Sequence, residues 1–128
     1  MIVDSDLLID YLRGWEPARD RLQQASAVGQ LQTTVINQFE LLSGARQPEE
    51  EQAVRELLET LDTITLDAEA SGIAGRLRRD LLAIGQDIGM ADSLIAGIAL
   101  ARSLTLITRN RKHFKRVPNL KLILLEST

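Results

Sequence analysis

The sequence of 128 residues is marked first by what it lacks. It contains no cysteine, which excludes disulfide bonds, thiol catalysis and zinc–thiolate sites. Its only histidine is His113, so acid–base sites built on paired histidines are excluded as well. Aromatic residues make up 3% of the chain, too few for a broad surface on which bases stack. No apolar run approaches the roughly 18 residues that a membrane span requires.

The amino-terminal stretch "MIVDSD" lacks the basic region and the long apolar segment of a signal peptide. The 45% hydrophobic content and the length of the chain are typical of one globular domain with a substantial core. We therefore expect a single domain over residues 1–128, soluble in the cytoplasm and independent of membranes.

The net charge of −3 conceals an asymmetry along the chain. Residues 1–100 hold 8 basic and 17 acidic residues, a net −9, whereas residues 101–128 hold 7 basic and one acidic, a net +6. Much of the positive charge lies in "RNRKHFKR", residues 109–116. A basic tract of this kind is either a solvated surface or a phosphate-binding surface.

Short apolar segments alternate with amphipathic ones along the whole chain. Strands are predicted at 1–3, 30–33, 63–66, 104–108 and 122–125. Amphipathic segments between them have helical spacing; in one, Val35, Ile36, Phe39 and Leu42 are expected to face inward. This alternation predicts an α/β fold with a parallel sheet of about five strands, covered by helices on both faces.

Three acids from distant parts of the chain are expected to meet at one edge of this sheet. Asp4 directly follows the first strand, and Thr108 and Asn110 follow "LTLI" of the fourth predicted strand in the same way. Glu40 lies about two turns into the helix after the second strand, and Asp92 begins the apolar segment "GMADSLIAGIAL". Because ligands of open parallel sheets bind beyond the carboxyl ends of the strands, this edge is the candidate site.

Each acid, taken alone, also has an ordinary interpretation. Asp4 and Asp92 are both suited to cap a helix, and Glu40 to lie on a solvated helix surface. Asp6 and Asp10 are expected to be exposed charges.

In order and spacing the motifs resemble those of PIN-domain ribonucleases, in particular VapC-type toxins. The resemblance is carried by "MIVDSDLLIDYL", "TTVINQFELLSGA" and "IGMADSLIAGIALARSLTLITRNRKHFKRVPNLKL". Together these motifs span nearly the whole chain. The resemblance implies a PIN-like three-layer sandwich and a metal-dependent endoribonuclease, the toxin of a type II toxin–antitoxin pair.

The resemblance also implies roles for individual residues. Asp4 and Asp92 match direct ligands of Mg²⁺, for which Mn²⁺ can substitute, and Glu40 matches a ligand or a water-orienting base. The residues that support the carboxylates or the phosphate by hydrogen bonds are Ser5, Thr108 and Asn110. The residues that contact the RNA backbone are Arg109, Arg111, Lys112 and Lys115.

The chain departs from the family pattern after "TRN", where members often carry a further acid. The candidates there, Asn110 and His113, are not acidic at neutral pH, and Asp87 in the preceding loop is a further carboxylate. The parts played by Asp87 and His113 stay open. Tyr11, Trp15 and Phe114 are the few candidates for stacking on a base, and packing is the expected role of each.

The partners are implied by the resemblance. VapC-type toxins form homodimers and are inhibited by a VapB-type antitoxin, which lays a helix on the toxin and sets a basic side chain against the acids. A surface around Tyr11, Leu12, Trp15 and the helix at 49–61 is the expected docking place.

Three alternatives remain at the sequence level. A haloacid-dehalogenase-type phosphatase would use Asp4 and Asp6, but it needs an acid pair downstream of Lys112, where only Glu126 is found. A phospho-receiver would use Asp67 as acceptor. A catalytically inactive PIN-like interaction domain is the third, and Asn110 is the residue that favours it.

Overall fold

The computed structural model describes residues 1–125, and Glu126 lies outside the described residues. The strands are β1 (Ile2–Val3), β2 (Gln32–Thr34), β3 (Asp62–Ile64), β4 (Leu106–Thr108) and β5 (Leu122–Leu124). The helices are α1 (Ser5–Leu12), α2 (Glu16–Val28), α3 (Val35–Gly44), α4 (Pro48–Glu59), α5 (Ala68–Ala83), α6 (Met90–Arg102) and α7 (Arg111–Phe114). Within residues 1–125, none of the helices is long and apolar enough to cross a bilayer.

The five strands form one parallel sheet in the order β3-β2-β1-β4-β5. Strand β1 lies at the centre, where Ile2 pairs with Gln32 on one side and with Leu106 on the other. The carboxyl ends of all strands therefore open at the same edge. The predicted parallel sheet is confirmed.

Successive residues of the central strands face opposite layers of helices. Ile2 and Leu106 pack in the apolar cluster that includes residues of α5 and α6. Val3 and Ile107 pack in the cluster that includes residues of α1, α2, α3 and α4. Since side chains alternate between the faces of a strand, helices cover both faces, as the sequence predicts.

Three local features differ from the sequence prediction. Phe39 is 71% exposed, because α3 turns Asn37 and Leu41 inward instead. Strand β5 is only half-buried, since it lies at the edge of the sheet. The basic tract contains the short helix α7, where the sequence analysis predicted no helix.

Gly97 lets α6 pack closely against α5. A Cβ atom added at Gly97 would lie 2.6 Å from the carbonyl oxygen of Ala70 and 2.7 Å from the Cβ of Ala74. Both distances are shorter than any van der Waals contact, so the two helices would have to separate. This close crossing fixes the position of α6, the helix that carries Asp92.

We predict that Gly97→Ala lowers the free energy of unfolding by about 1–3 kcal/mol, because overpacking forces the backbone to shift. Urea denaturation measures the change. Gly75→Ala on α5 is the matched control, since its added Cβ meets no atom within 4 Å and gains helix propensity. Equal stability of the two variants would contradict the close crossing.

Candidate active site at the carboxyl edge of the sheet

Asp4 is the buried centre of the candidate site. It follows β1 and caps α1, so its side chain stands at the carboxyl edge with only 5% of the residue exposed. Its Oδ1 accepts hydrogen bonds from the Ser5 backbone N–H at 2.8 Å and from Asn37 Nδ2 at 3.1 Å. Its Oδ2 accepts a hydrogen bond from the Thr108 hydroxyl at 2.7 Å. The predicted capping role is confirmed, and both oxygens are held by other strands or helices as well.

Asn37 is the residue that joins α3 to Asp4, and the sequence prediction missed it. Thr34 caps α3, and the Asn37 side-chain oxygen accepts hydrogen bonds from the Thr34 backbone N–H at 3.2 Å and hydroxyl at 2.7 Å. This capping box fixes the amide so that its Nδ2 donates to Asp4 and to Ser5 Oγ. The Thr-x-x-Asn spacing at the helix start was the signal available in the sequence.

Glu40 lies one turn further along α3 and joins the same network. The Ser5 hydroxyl donates to Glu40 Oε1 at 2.8 Å and accepts from Asn37 Nδ2 at 2.8 Å. Glu40 is half-buried rather than solvated. A chain of hydrogen bonds therefore connects Glu40 through Ser5 and Asn37 to Asp4.

Asp92 is the third residue of α6 and not its cap, which is Gly89 with φ +87°. The capping interpretation of Asp92 is therefore wrong. Its Oδ2 accepts a hydrogen bond from Asn110 Nδ2 at 3.3 Å and lies 2.6 Å from His113 Nδ1. Only 18% of its side chain is exposed. Asp92 therefore does not cap α6, and its carboxylate contacts residues of the segment that follows β4.

His113 and Asp87, which the sequence left open, have different environments. His113 contacts the Asp92 carboxylate and also lies 3.2 Å from Asn110 Nδ2. Asp87 accepts from the Gly89 backbone N–H and pairs with Arg78 at 3.3 Å, and these bonds lower its pKa. His113 therefore belongs to the network of the site, whereas Asp87 shapes the loop before α6.

Asp6 and Asp10 are not exposed, so the sequence prediction for them is wrong. Asp6 Oδ2 accepts from the Arg109 backbone N–H at 3.1 Å and lies 3.3 Å from the Thr108 hydroxyl. Asp10 pairs with the Arg109 guanidinium, with 2.6 Å between Nε and Oδ2. Both acids lie inward because α1 runs beside the end of β4. Their burial depends on partners distant in sequence, which no local pattern reveals.

The four predicted RNA contacts fall into two groups. Arg111, Lys112 and Lys115 lie exposed on or next to α7. The Arg109 guanidinium pairs with Asp10 and lies 5.1 Å from the centre of the Trp15 ring. An RNA contact by Arg109 stays a prediction, and it requires one guanidinium to serve both Asp10 and a phosphate.

The aromatic residues have packing roles. Phe114 is fully buried, the Trp15 ring contacts Arg109, and the Tyr11 ring lies 5.4 Å from the Arg19 guanidinium. Asp67, the phosphate acceptor of the phospho-receiver alternative, caps α5 through the Ala70 N–H.

The clustered carboxylates repel one another and resist ionisation. Burial, followed by the charge of Asp6, raises the pKa of Asp4 to about 7, although the Thr108 hydrogen bond opposes the shift. Burial also raises the pKa of Asp6 and of Glu40, and Asp92 contributes to the shift of Glu40. Four acids therefore lie within electrostatic range of one another.

This donor set suits a hard divalent cation. Carboxylate, hydroxyl and amide oxygens are the ligands that Mg²⁺ and Mn²⁺ prefer, and a cation relieves the repulsion among buried carboxylates. Among residues 1–125, no group of three or more His, Asp or Glu side chains is placed so that it could hold a metal ion by itself. The fit therefore rests on charge and on oxygen chemistry, and it favours an ion such as Mg²⁺ that keeps several of its waters.

Comparisons with known proteins agree with this geometry. The family model described as "PIN domain" matches residues 1–120. The chain is 36% identical over 121 residues to Ribonuclease VapC10 of Mycobacterium tuberculosis, covering 94% of this chain and 90% of that protein. It is 30% identical to the tRNA(fMet)-specific endonuclease VapC of Shigella flexneri, covering 94% and 93%.

Solved structures are similar over nearly the full chain. VapBC2 from Rickettsia felis bound to a promoter DNA fragment matches with a TM-score of 0.90 and 26% identity, covering 98% of each chain. DNA-bound VapBC from Salmonella typhimurium matches with a TM-score of 0.84 and 25% identity, covering 95% of each chain. The three-layer arrangement predicted from the sequence is confirmed by these neighbours.

We predict that the metal-free protein loses stability as the pH rises from about 4 to about 7. The folded-state pKa of Asp4 is about 7, against about 3.9 in unfolded chains, so in this range only the folded state binds the proton. The free energy of unfolding then falls by about 1.4 kcal/mol per pH unit for this proton.

Thermal and urea unfolding between pH 4 and pH 8, with a chelator present, measure this slope. The Asp4→Asn variant has no titratable group at position 4. Its free energy of unfolding should therefore change less steeply with pH than that of the wild type. Asp80→Asn, an exposed acid on α5, should keep the wild-type slope. Parallel curves for Asp4→Asn and the wild type would refute the raised pKa of Asp4.

Proposed function

The chain belongs to the PIN-domain family, and from this premise we propose that it is the endoribonuclease toxin of a VapBC-type toxin–antitoxin pair, one domain throughout, acting in the cytoplasm. The observation that carries the proposal is the meeting of Asp4, Glu40 and Asp92 at one sheet edge, each in a network of donors from other elements. An inactive interaction domain would not need to keep these acids together against their mutual repulsion.

The roles of the site residues follow from their contacts. Asp4 and Asp92 hold Mg²⁺, or Mn²⁺ in its place, and Glu40 is a further ligand or orients the attacking water. A divalent cation held by these residues would supply charge neutralisation at the phosphate and a lower pKa for bound water. Thr108 and Ser5 fix the carboxylates of Asp4 and Glu40.

Asn110 is explained by its position beside Asp92. Its amide donates to Asp92, and its Oδ1 accepts from the His113 backbone N–H at 3.3 Å. A carboxylate at position 110 would repel Asp92 in place of this hydrogen bond. Asn110 thus holds a proposed ligand, which supports an active site rather than a lost one.

The RNA backbone is bound by the basic surface next to this site. Arg111, Lys112 and Lys115 lie on the segment that follows β4, so their charges flank the carboxyl edge. Contacts of this kind attract any phosphodiester backbone and weaken with salt. Since Tyr11, Trp15 and Phe114, three of the four aromatic residues, are engaged in packing, the shape of the RNA and a few loop contacts decide which RNA is cut.

We predict that Asp92→Asn lowers the cleavage rate of single-stranded RNA by at least about 100-fold, because a proposed metal ligand loses its charge. Cleavage is measured with Mg²⁺ or Mn²⁺, with and without EDTA. Asp80→Asn is the control with the same substitution on an exposed helix surface. Unchanged cleavage by a folded Asp92→Asn protein, or cleavage that survives EDTA, would refute the proposed chemistry.

The antitoxin docks in a groove that leads to Glu40. The groove has a volume of about 620 Å³ and lies among α1, α3 and α4. Its apolar lining residues include Ile9, Leu12, Leu41, Ala45, Ala53 and Val54, and its acidic ones are Glu40, Glu49 and Glu50. Such a groove fits an amphipathic helix that carries a basic side chain. The active toxin is proposed to be a homodimer, as in the VapC-type resemblance.

The predicted docking residues are partly in this groove. Leu12 and helix α4 line it, as expected. Tyr11 lines a neighbouring pocket with Leu8 and Leu61, and Trp15 packs on Arg109. The docking surface therefore lies closer to Glu40 than the sequence suggested.

We predict that Ala53→Arg weakens antitoxin binding by about 30-fold or more, because a long basic side chain fills the groove and repels a basic partner. Co-purification with the tagged antitoxin and titration calorimetry measure the loss. Ala27→Arg, exposed on α2 outside the groove, is the matched control. Equal binding by both variants would place the antitoxin elsewhere.

A further inference from the structure

One carboxylate oxygen of Asp6 is buried without a hydrogen-bond partner. Among the residues the structure describes, none donates a hydrogen bond to Asp6 Oδ1, and the atom is shielded from solvent. The other oxygen, Oδ2, accepts from the Arg109 backbone N–H at 3.1 Å. A buried carboxylate oxygen without a donor is costly, and a positive charge bound near this side chain would offset that cost.

Asp6 shares its surroundings with Asp4 through Thr108. The Thr108 hydroxyl lies 2.7 Å from Asp4 Oδ2 and 3.3 Å from Asp6 Oδ2, so both carboxylates contact one oxygen. Thr108 Oγ1 also accepts from the Asn110 backbone N–H at 3.0 Å. A hydroxyl has one proton, and the shorter distance gives it to Asp4. Asp6 therefore receives the weaker share of this hydroxyl, next to Asp4.

Arg109 fixes the position of Asp6 and offsets its charge only in part, because burial still raises the pKa of Asp6. The guanidinium makes two contacts with Asp10, Nε to Oδ2 at 2.6 Å and Nη2 to Oδ1 at 3.1 Å. It also packs against the Trp15 ring. Because the side chain is committed to Asp10, Asp6 receives mainly the backbone N–H of Arg109, which the clamp holds in place.

We propose that Asp6 is a further functional carboxylate of the site, one that increases its affinity for the divalent cation. This inference rests on the proposed function. The charge of Asp6 contributes to the raised pKa of both Asp4 and Glu40, so Asp6 interacts electrostatically with these acids. Its fixed negative charge favours a cation at this edge and disfavours the metal-free state.

The test is Mn²⁺ binding, followed by electron paramagnetic resonance and by the shift in melting temperature. We expect Asp6→Asn to weaken Mn²⁺ binding by about 10–100-fold, as the loss of a supporting carboxylate typically does. The melting temperature of metal-free Asp6→Asn at pH 8 should equal or exceed that of the wild type, because repulsion with Asp4 is removed. Asp6→Ser, smaller and also neutral, should weaken Mn²⁺ binding in the same way. Asp80→Asn should bind Mn²⁺ as the wild type does.

A purely structural role predicts the opposite pattern. In that case Asp6→Asn would lower the metal-free melting temperature and leave Mn²⁺ affinity unchanged, and the proposal would be overturned. Mn²⁺ binding by Asp92→Asn distinguishes a failure of the proposed role of Asp6 from a failure of the proposed function. If Asp92→Asn loses Mn²⁺ binding while Asp6→Asn keeps it, only the role of Asp6 falls. If the wild type binds no Mn²⁺, both the proposed metal centre and the proposed role of Asp6 are refuted.

Discussion

The repulsion among acids gathered at one edge of the sheet governs the rest of this structure. Asp4, Asp6, Glu40 and Asp92 come from three helical segments. Burial raises the pKa of Asp4, Asp6 and Glu40, and the charges of neighbouring acids add to the shifts of Asp4 and Glu40. Folding alone would not select this arrangement, because buried like charges cost free energy. The surrounding donors hold it in place. Thr108, Asn37 and Ser5 each bind a carboxylate and also bind another element, so no single acid can turn away without breaking a wider network.

Apolar packing in the core offsets the unfavourable free energy of the acids buried at this edge of the sheet. Ile2 and Ile107 are fully buried in opposite layers, and Gly97 brings α6 into close contact with α5. The same close crossing sets where α6 begins and therefore where Asp92 stands. Packing in the core and geometry at the site are thus linked through one helix. An unfavourable cluster of acids on a rigid core is typical of the compromise between stability and activity at functional sites.

The sequence predicted the sheet, its parallel sense and the edge where Asp4 and Thr108 lie, because strand ends follow from local hydrophobic pattern. It could not predict which neighbouring acids are buried. Asp6 lies two residues from Asp4 in the first turn of α1, and its burial depends on the end of β4, about one hundred residues away in sequence. In the sequence, His113 is indistinguishable from the other members of the basic tract, because composition does not reveal that its ring contacts Asp92.

Arg109 differs in its contacts from the other basic residues of the tract at 109–116. That residue looks like its neighbours in sequence, yet its side chain stabilises α1 through Asp10, while Arg111 and Lys112 lie exposed beyond it. The acidic edge and the basic surface are therefore adjacent and opposite in sign. A phosphodiester attracted by the basic surface meets carboxylates that repel it unless a divalent cation neutralises them. Under the proposed function, cation binding and RNA binding at this edge would favour each other, since each would reduce the electrostatic cost of the other.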